Sequence, residues 1–292
     1  WSHVLLASYK TVVSNDKFLI ISNAGHSLIA GKLCNENMFS TSWQNDQTPM
    51  AMGELLNRKG IKSLYLMAPN YAAGKNMVSG IERTFKGKVI GKDLTKFPGQ
   101  LDFSAELAKV RAAKPEALWV FYPGKHGTQF LKQYYQSGLK NTVQLYTTFT
   151  VDNLNLPKVG KHTEGIKLTR FWSRDLDAPA NKRYVADFKK KYGRYPTYYG
   201  AQAYDSIMLI NSAVVKVGGN LKDKGRIRAA LRAADFESIR GPYSYGQNHM
   251  PIQDFYLLEV IKEEGGTYTT KIVETVYKKH QDPYAKECKM SW

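Results

Sequence analysis

Between Met50 and Leu145, short apolar or β-branched runs alternate with segments of helical length, and this alternation constrains the fold more than any other feature of the chain. Thr48-Pro49 reads as an N-cap followed by proline at the first helical position, with the helix running to Gly60. A strand at 62–67, a helix from about Gly74 to Phe85, the run "KVIGKDLT" and a helix at about 103–113 follow. Next come the strand "ALWVFY" at 117–122, a helix from about Gly127 to Ser137 stopped by Gly138, and the strand "VQLYTT" at 143–148. Parallel strands need crossovers of about a dozen residues or more, and these helices supply them, so the spacing predicts an α/β fold with parallel sheets flanked by helices.

The flanking pattern differs. A helix at about Val4 to Val13 precedes a buried strand, "FLIIS" at 18–22, although an α/β domain would normally supply earlier strands to pair with it. From Gly165, "GIKLTRFW" reads as a strand, and Asp177-Ala178-Pro179 opens a helix that ends at Gly193. A long helix from about Thr197 to Val217 is closed by Gly218-Gly219, and another spans about Lys222 to Ala233. "DFYLLEVIKEEGGTYTTKIVETV" is two alternating runs joined by Glu264-Gly265-Gly266, a β-hairpin. A helical block at about 170–240 between two α/β-like stretches implies that the chain crosses between lobes more than once.

Lys and Arg outnumber Asp and Glu by 42 to 25, a net charge of +17, which suits nucleic acid, an acidic membrane surface or small anions. The charge is spread along the chain, however, and its densest cluster, Lys189 to Lys191, ends an amphipathic helix where cations suit the dipole. Neither zinc-finger spacing nor an RNA-binding aromatic signature is present. No window holds the roughly 18 consecutive apolar residues of a membrane span.

"APNYAAGKNM" at 68–77 invites comparison with a phosphate loop, but Pro69 lacks an N–H and Asn76 stands where the metal-binding hydroxyl would be. It reads instead as a tight strand-to-helix turn in which Tyr71 faces a ligand or covers the helix start. His3, His26, His126, His162, His249 and His280 form no metal-ligand pattern, and no GxSxG elbow occurs, so neither a metal, a cofactor nor an enzymatic activity is expected. Cys34 and Cys288 are too far apart for a CxxC motif and are either free thiols or a disulfide.

The ordered segments "FLIISNAGHS", "LYLMAPNYAAGKN", "PEALWVFYPGKHGTQFLKQYYQSGL", "YYGAQAYDS" and "GPYSYGQNHMPIQDFYLLEV" resemble the branched-chain amino-acid-binding family of periplasmic solute-binding proteins, which serve ABC transporters. The resemblance implies a two-lobed type I periplasmic binding fold with three crossover strands, a ligand in the cleft and no catalysis. Lobe one would hold residues 1–43 and 170–248, lobe two 44–169 and 249–275, with a C-terminal tail at 276–292. In that fold two βα units and a strand precede Ser2, so the N-terminal part of lobe one would be missing by on the order of 70 residues. Trp1, with no Met or signal peptide before it, fits such an interior start.

By the same resemblance the carboxylate-binding serine falls at Ser2, and the turn that donates N–H groups to the ligand matches Asn23, Ala24, Gly25 and His26, with Ser27 adjacent. Tyr71 matches a tyrosine of lobe two. A second ligand tyrosine has no direct match, because Gly124 stands there; Tyr122 is close enough to substitute. The acid that pairs with an amino acid's ammonium falls at Phe149, with Asp152 the nearest acid. Carboxylate donors at one end and Phe149, Tyr71 and Tyr122 at the other suit an aromatic or otherwise apolar carboxylate, unless Phe149 only packs into its lobe. The implied periplasmic setting, two cysteines and a polar tail together suggest a Cys34–Cys288 disulfide.

The expected function is therefore a monomeric, hinged transport receptor that presents a small organic anion to a membrane permease, with no nucleic-acid partner. A branched-chain amino-acid binder or a sensory ligand-binding domain of the same fold is the alternative, and a basic nucleic-acid-binding protein a distant one.

Overall fold

A strand whose residues are all apolar belongs in the middle of a sheet covered on both faces. The runs between the helices behave this way in the computed structural model, which describes residues 1–291. Two units separate: the first holds residues 1–47, 174–254 and the chain from Lys278, the second residues 48–173 and 255–277. The described chain passes from one to the other at 47/48, 173/174, 254/255 and 277/278, the last within two residues of where the sequence reading sets off the tail at 276–292. Trp292, the end of the tail at 276–292, lies outside the described residues.

In chain order the first unit begins with α1 (Ser2–Ser14), β1 (Leu19–Ile21), α2 (Ser27–Ala30) and β2 (Met38–Ser40). There follow α3 (Gln47–Arg58), β3 (Ser63–Pro69), α4 (Ala72–Thr84), β4 (Lys88–Thr95), α5 (Ser104–Ala113), β5 (Ala117–Val120), α6 (Lys125–Gln136), β6 (Gln144–Thr148), α7 (Leu156–Val159) and β7 (Lys167–Arg170). The chain then forms α8 (Pro179–Tyr192), α9 (Tyr198–Lys216), α10 (Lys224–Ala233), β8 (Ser244–Tyr245), and the long strands β9 (Pro251–Lys262) and β10 (Tyr268–His280).

The second unit is organised by the sheet order β10-β9-β7-β6-β5-β3-β4. The pairs β3–β4, β3–β5, β5–β6 and β6–β7 are parallel, whereas β7–β9 is antiparallel. Central strands β3 and β5 are buried almost throughout, while edge strand β4 turns Lys88, Lys92 and Leu94 to solvent. Charge on a sheet edge opposes pairing with another chain. One boundary differs from expectation. Helix α3 starts at Gln47, whose Oε1 accepts from the Gln44 N–H at 3.0 Å, so Thr48 lies inside the first turn instead of capping it.

In the first unit β1 and β2 pair in parallel, and two apolar clusters cover them. Phe39, Leu209, Ala213 and Leu231 centre one; Leu5, Ile21, Ile29, Met38 and Met250 form the other. A buried ion pair sits beside the first cluster: Arg240 Nε donates to Asp205 at 3.0 Å. Asp205 also accepts from Ser238 Oγ at 2.7 Å and the Ile239 N–H at 3.2 Å. The guanidinium reaches onward to the Thr41 carbonyl at 2.8 Å, the Ser42 carbonyl at 3.3 Å and Gln253 Oε1 at 2.7 Å. The segment after β2 is thereby fixed by charge-assisted hydrogen bonds.

Cys34 and Cys288 form a disulfide across 254 positions, with Cα atoms 5.6 Å apart. It holds the C-terminal segment on the first unit together with Gln247, whose Nε2 donates to the Cys288 and Met290 carbonyls at 3.0 and 2.6 Å. Closing a loop that long stabilises the folded chain by up to about 5 kcal/mol on the chain-entropy account.

Candidate functional site

The turn "APNYAAGKNM" is shaped by close backbone approach. A Cβ on Gly74 would lie 1.8 Å from the Pro69 carbonyl oxygen, so only glycine lets the first turn of α4 fold back onto the end of β3. Tyr71 occupies the N-cap position, and its ring stacks on Phe97 at 4.4 Å and 19°. The turn thus sets an aromatic ring at a strand end.

The same happens along the second unit's sheet. In open α/β sheets ligands bind beyond the carboxyl ends of the strands. Here β3 leads to Tyr71, β4 to Phe97, β5 to Phe121, β6 to Phe149 and β7 to Phe171. Tyr71 and Phe121 lie 6.3 Å apart, Phe121 and Phe149 6.5 Å, and Phe149 and Phe171 6.3 Å, all within the separations at which aromatic pairs attract. His126, in the first turn of α6, closes the row at 6.1 Å from Phe97. Phe149 adopts a φ of 54°, a left-handed conformation rare for a bulky residue, and is buried.

Tyr122 does not join this row. Its side chain is fully buried against Phe103 at 4.8 Å and Phe130 at 5.2 Å, and its hydroxyl lies 3.1 Å from Thr95 Oγ1. Burial raises its pKa far above the usual phenol value. Successive residues at a strand end point to opposite faces, so where sequence reasoning placed Tyr122 the fold presents Phe121. Asp152 is likewise occupied: Oδ1 accepts from the Leu154 and Asn155 N–H groups at 2.8 and 3.0 Å.

In the first unit the turn after β1 is polar and tightly held. Gly25 has no room for a Cβ, which would sit 1.7 Å from the Trp43 carbonyl oxygen. Ala24 has a φ of 88°, and its carbonyl accepts from Ser42 Oγ at 2.9 Å. Such a strained backbone costs on the order of 1 to 3 kcal/mol and persists where its surroundings enforce it. The Gly25 carbonyl accepts from the Asn45 N–H at 2.8 Å, while Asn45 Nδ2 donates to Ser2 Oγ at 3.0 Å. Gln202 Nε2 donates to Asn23 Oδ1 at 2.7 Å. Ser2, Asn23, Ala24 and His26 are therefore brought together through Asn45, Ser42 and the backbone, and half-buried Ser27 opens α2 beside them.

His26 is the most informative member of this turn. Its Nδ1 accepts from the Leu28 N–H at 3.1 Å, and burial lowers its pKa below the ordinary imidazole value. A neutral ring whose Nδ1 lone pair is used carries its proton on Nε2, which makes it a hydrogen-bond donor. Gln202 and Asn45 escaped sequence reasoning. The signal for Gln202 was a polar residue on the buried stripe of α9, between Tyr198 and Leu209, where an apolar side chain would otherwise stand.

Among the described residues no group of three or more His, Cys, Asp or Glu side chains could hold a metal ion. No described helix is long and apolar enough to cross a membrane. Two α/β units joined by repeated chain passages, one with a polar turn and one with a ring-lined row of strand ends, define a solute-binding architecture. A periplasmic binding protein family model matches residues 1–267, and the chain belongs to that family, with the type I periplasmic binding fold.

An ABC transporter solute-binding protein from R. palustris in complex with benzoate superposes with a TM-score of 0.92 at 30% identity, covering 99% of this chain and 79% of that one. A second ABC transporter solute-binding protein, from Rhodopseudomonas palustris BisB5 in complex with 3,4-dihydroxybenzoic acid, has a TM-score of 0.83 at 26% identity, over 95% of this chain and 77% of that one. A Leu/Ile/Val-binding protein homolog of Brucella suis is 26% identical over 275 residues, 91% of this chain and 69% of that protein.

Proposed function

We propose that this protein is the substrate-binding component of an ABC transporter and that its ligand is a small carboxylate with an apolar, aromatic body. The observation that carries the reading is Phe149. Where the family's amino-acid binders place an acid this chain has a ring packed between Phe121 and Phe171, and the nearby Asp152 is spent on its own turn. In this reading the carboxylate accepts hydrogen bonds from His26 Nε2–H, from the hydroxyls of Ser2 and Ser27 and from the N–H groups of the turn at Asn23 to His26. The row headed by Tyr71 takes the ring. Donors near a helix start and neutral hydroxyls suit an anion.

The R. palustris proteins found with benzoate and 3,4-dihydroxybenzoic acid support an aromatic acid, whereas the Brucella relatives favour a second reading, a branched-chain amino acid. Electrostatics weighs against the second. An α-ammonium over a ring regains about 0.5 to 2 kcal/mol, while a buried charge without its partner costs about 3 to 5 kcal/mol. A periplasmic location, a monomeric state and a membrane permease as partner follow from the same role. A thermal-shift panel tests the assignment: benzoates at 100 times their dissociation constant add about 2.7 kcal/mol of stability, and leucine at the same concentration adds less. A shift with leucine and none with any aromatic acid would replace this reading with the second.

A further inference from the structure

His126 ends the ring row beside Phe97, and its Nε2 takes part in none of the proposed carboxylate contacts. Its side chain is 8% exposed, and Nε2 is buried with no hydrogen-bond partner among the described residues. A buried polar atom left unpaired costs about 1 to 3 kcal/mol, so a position that keeps one invites a partner from outside the chain. The residue is also held firmly. Gly127 beside it leaves no room for a Cβ, which would lie 2.2 Å from the Tyr122 carbonyl and 2.7 Å from the Thr150 carbonyl. The first turn of α6 therefore rests directly on the ends of β5 and β6, at the edge of the ring row through Phe97.

Burial and the neighbouring Lys125 lower the His126 pKa, so the ring is neutral at neutral pH. A neutral Nε2 is a donor in one tautomer and an acceptor in the other, and a hydroxyl can serve both. A carboxylate, which only accepts, could serve one.

Resting on the proposed aromatic-acid reading, we propose that His126 is a specificity-determining residue: its Nε2 pairs with a hydroxyl on the ligand's ring, making the preferred ligand a hydroxybenzoate over benzoate. A site built to pair a hydroxyl rejects the analogue that lacks it, because the ligand leaves the protein's own group unpaired. Methyl-for-hydrogen differences in an apolar pocket discriminate far less.

Calorimetry with benzoate, 3-hydroxybenzoate, 4-hydroxybenzoate and leucine tests this on the wild-type protein, His126→Gln and His126→Leu. At least one hydroxybenzoate should bind wild type about tenfold or more tighter than benzoate. His126→Gln, which keeps a hydrogen-bonding side chain, should retain most of that ratio, and His126→Leu should bring it within about threefold. Nitrogen chemical shifts of the wild-type imidazole should move with the hydroxybenzoate and not with benzoate, a readout that does not depend on a variant folding. Equal affinities for the three acids in wild type, or an unchanged ratio in His126→Leu, overturns the role of His126 and leaves the aromatic-acid reading standing. Tight leucine binding with no aromatic acid bound overturns both.

Discussion

The two units hold the segments proposed to meet a ligand by different physics. The turn at Asn23 to His26 is fixed by directional bonds: Ser42 to Ala24, Asn45 to Gly25, Gln202 to Asn23 and Leu28 to His26. The strand ends of the second unit are fixed by rings, Tyr71 on Phe97 and Phe149 between Phe121 and Phe171. Directional bonds position a charge to within tenths of an ångström, whereas ring contacts supply area and tolerate shape. The contrast also implies that the first unit is sensitive to the loss of single polar groups and to protons, and the second to changes in side-chain volume.

The largest expected break in that contrast is Asp205→Asn. It leaves Arg240 buried without its charge partner, and removal of one member of such a pair costs about 3 to 5 kcal/mol. Urea unfolding should show this loss, and an Arg240→Met, Asp205→Leu double variant should recover part of it. A loss below about 1 kcal/mol would mean that the polar network is incidental to the first unit.

Acid should act next most strongly, and also on the first unit. Burial lowers the pKa of His249 and of His280 to about 4, that of His249 despite its hydrogen bond to the Met38 carbonyl. The unfolded chain takes up these protons near pH 6.5 and the folded unit refuses them until about pH 4. Their contribution is thus complete above pH 6.5 and lost as pH falls toward 4. Asp282 works the other way. Burial raises its pKa to about 6, so its contribution is present below about pH 4 and lost as pH rises through 6. Two histidines against one carboxyl leave a net loss on the order of 3 kcal/mol between pH 6.5 and 4. Denaturant midpoints across that range should fall with pH, and His249→Gln should flatten the slope; a midpoint that is level or rises would contradict the burial of these rings.

Much of this was legible in the sequence because a strand covered on both faces must be an unbroken apolar run, as in Leu64 to Ala68 and Ala117 to Val120. The disulfide was reachable from two cysteines and an implied compartment. The ring row was only half legible. Tyr71 and Phe149 could be carried over from a family pattern, but Phe97 lies in a loop after an edge strand, with no periodicity to place it. Phe121 and Tyr122 are adjacent, and a one-residue choice of face at a strand end decides which ring joins the row. His126 was hidden because a polar residue on a helix gives no sign of its burial until the helix is packed, and Gln202 showed only as a polar position on the stripe of α9 that holds Tyr198 and Leu209.

That choice of face is tested in binding, where its Tyr122 arm carries the smallest predicted effect on stability. Phe121→Ala should weaken an aromatic acid by about tenfold or more, while Tyr122→Phe should leave affinity within about threefold and cost on the order of 1 kcal/mol of stability through its Thr95 contact. The reverse ranking would restore Tyr122 to the site.

The central claim is that Phe149 selects a carboxylate that carries no ammonium group, and one matched pair of ligands isolates it. L-phenylalanine and 3-phenylpropanoate share a ring, a chain length and a carboxylate and differ only in the α-ammonium. Calorimetry on the wild-type protein, with benzoate alongside, should give 3-phenylpropanoate at least about tenfold tighter binding than L-phenylalanine, since the unpartnered charge outweighs its attraction to the ring. Tighter binding of L-phenylalanine, or of leucine over benzoate, would contradict the claim and make the protein an amino-acid receptor.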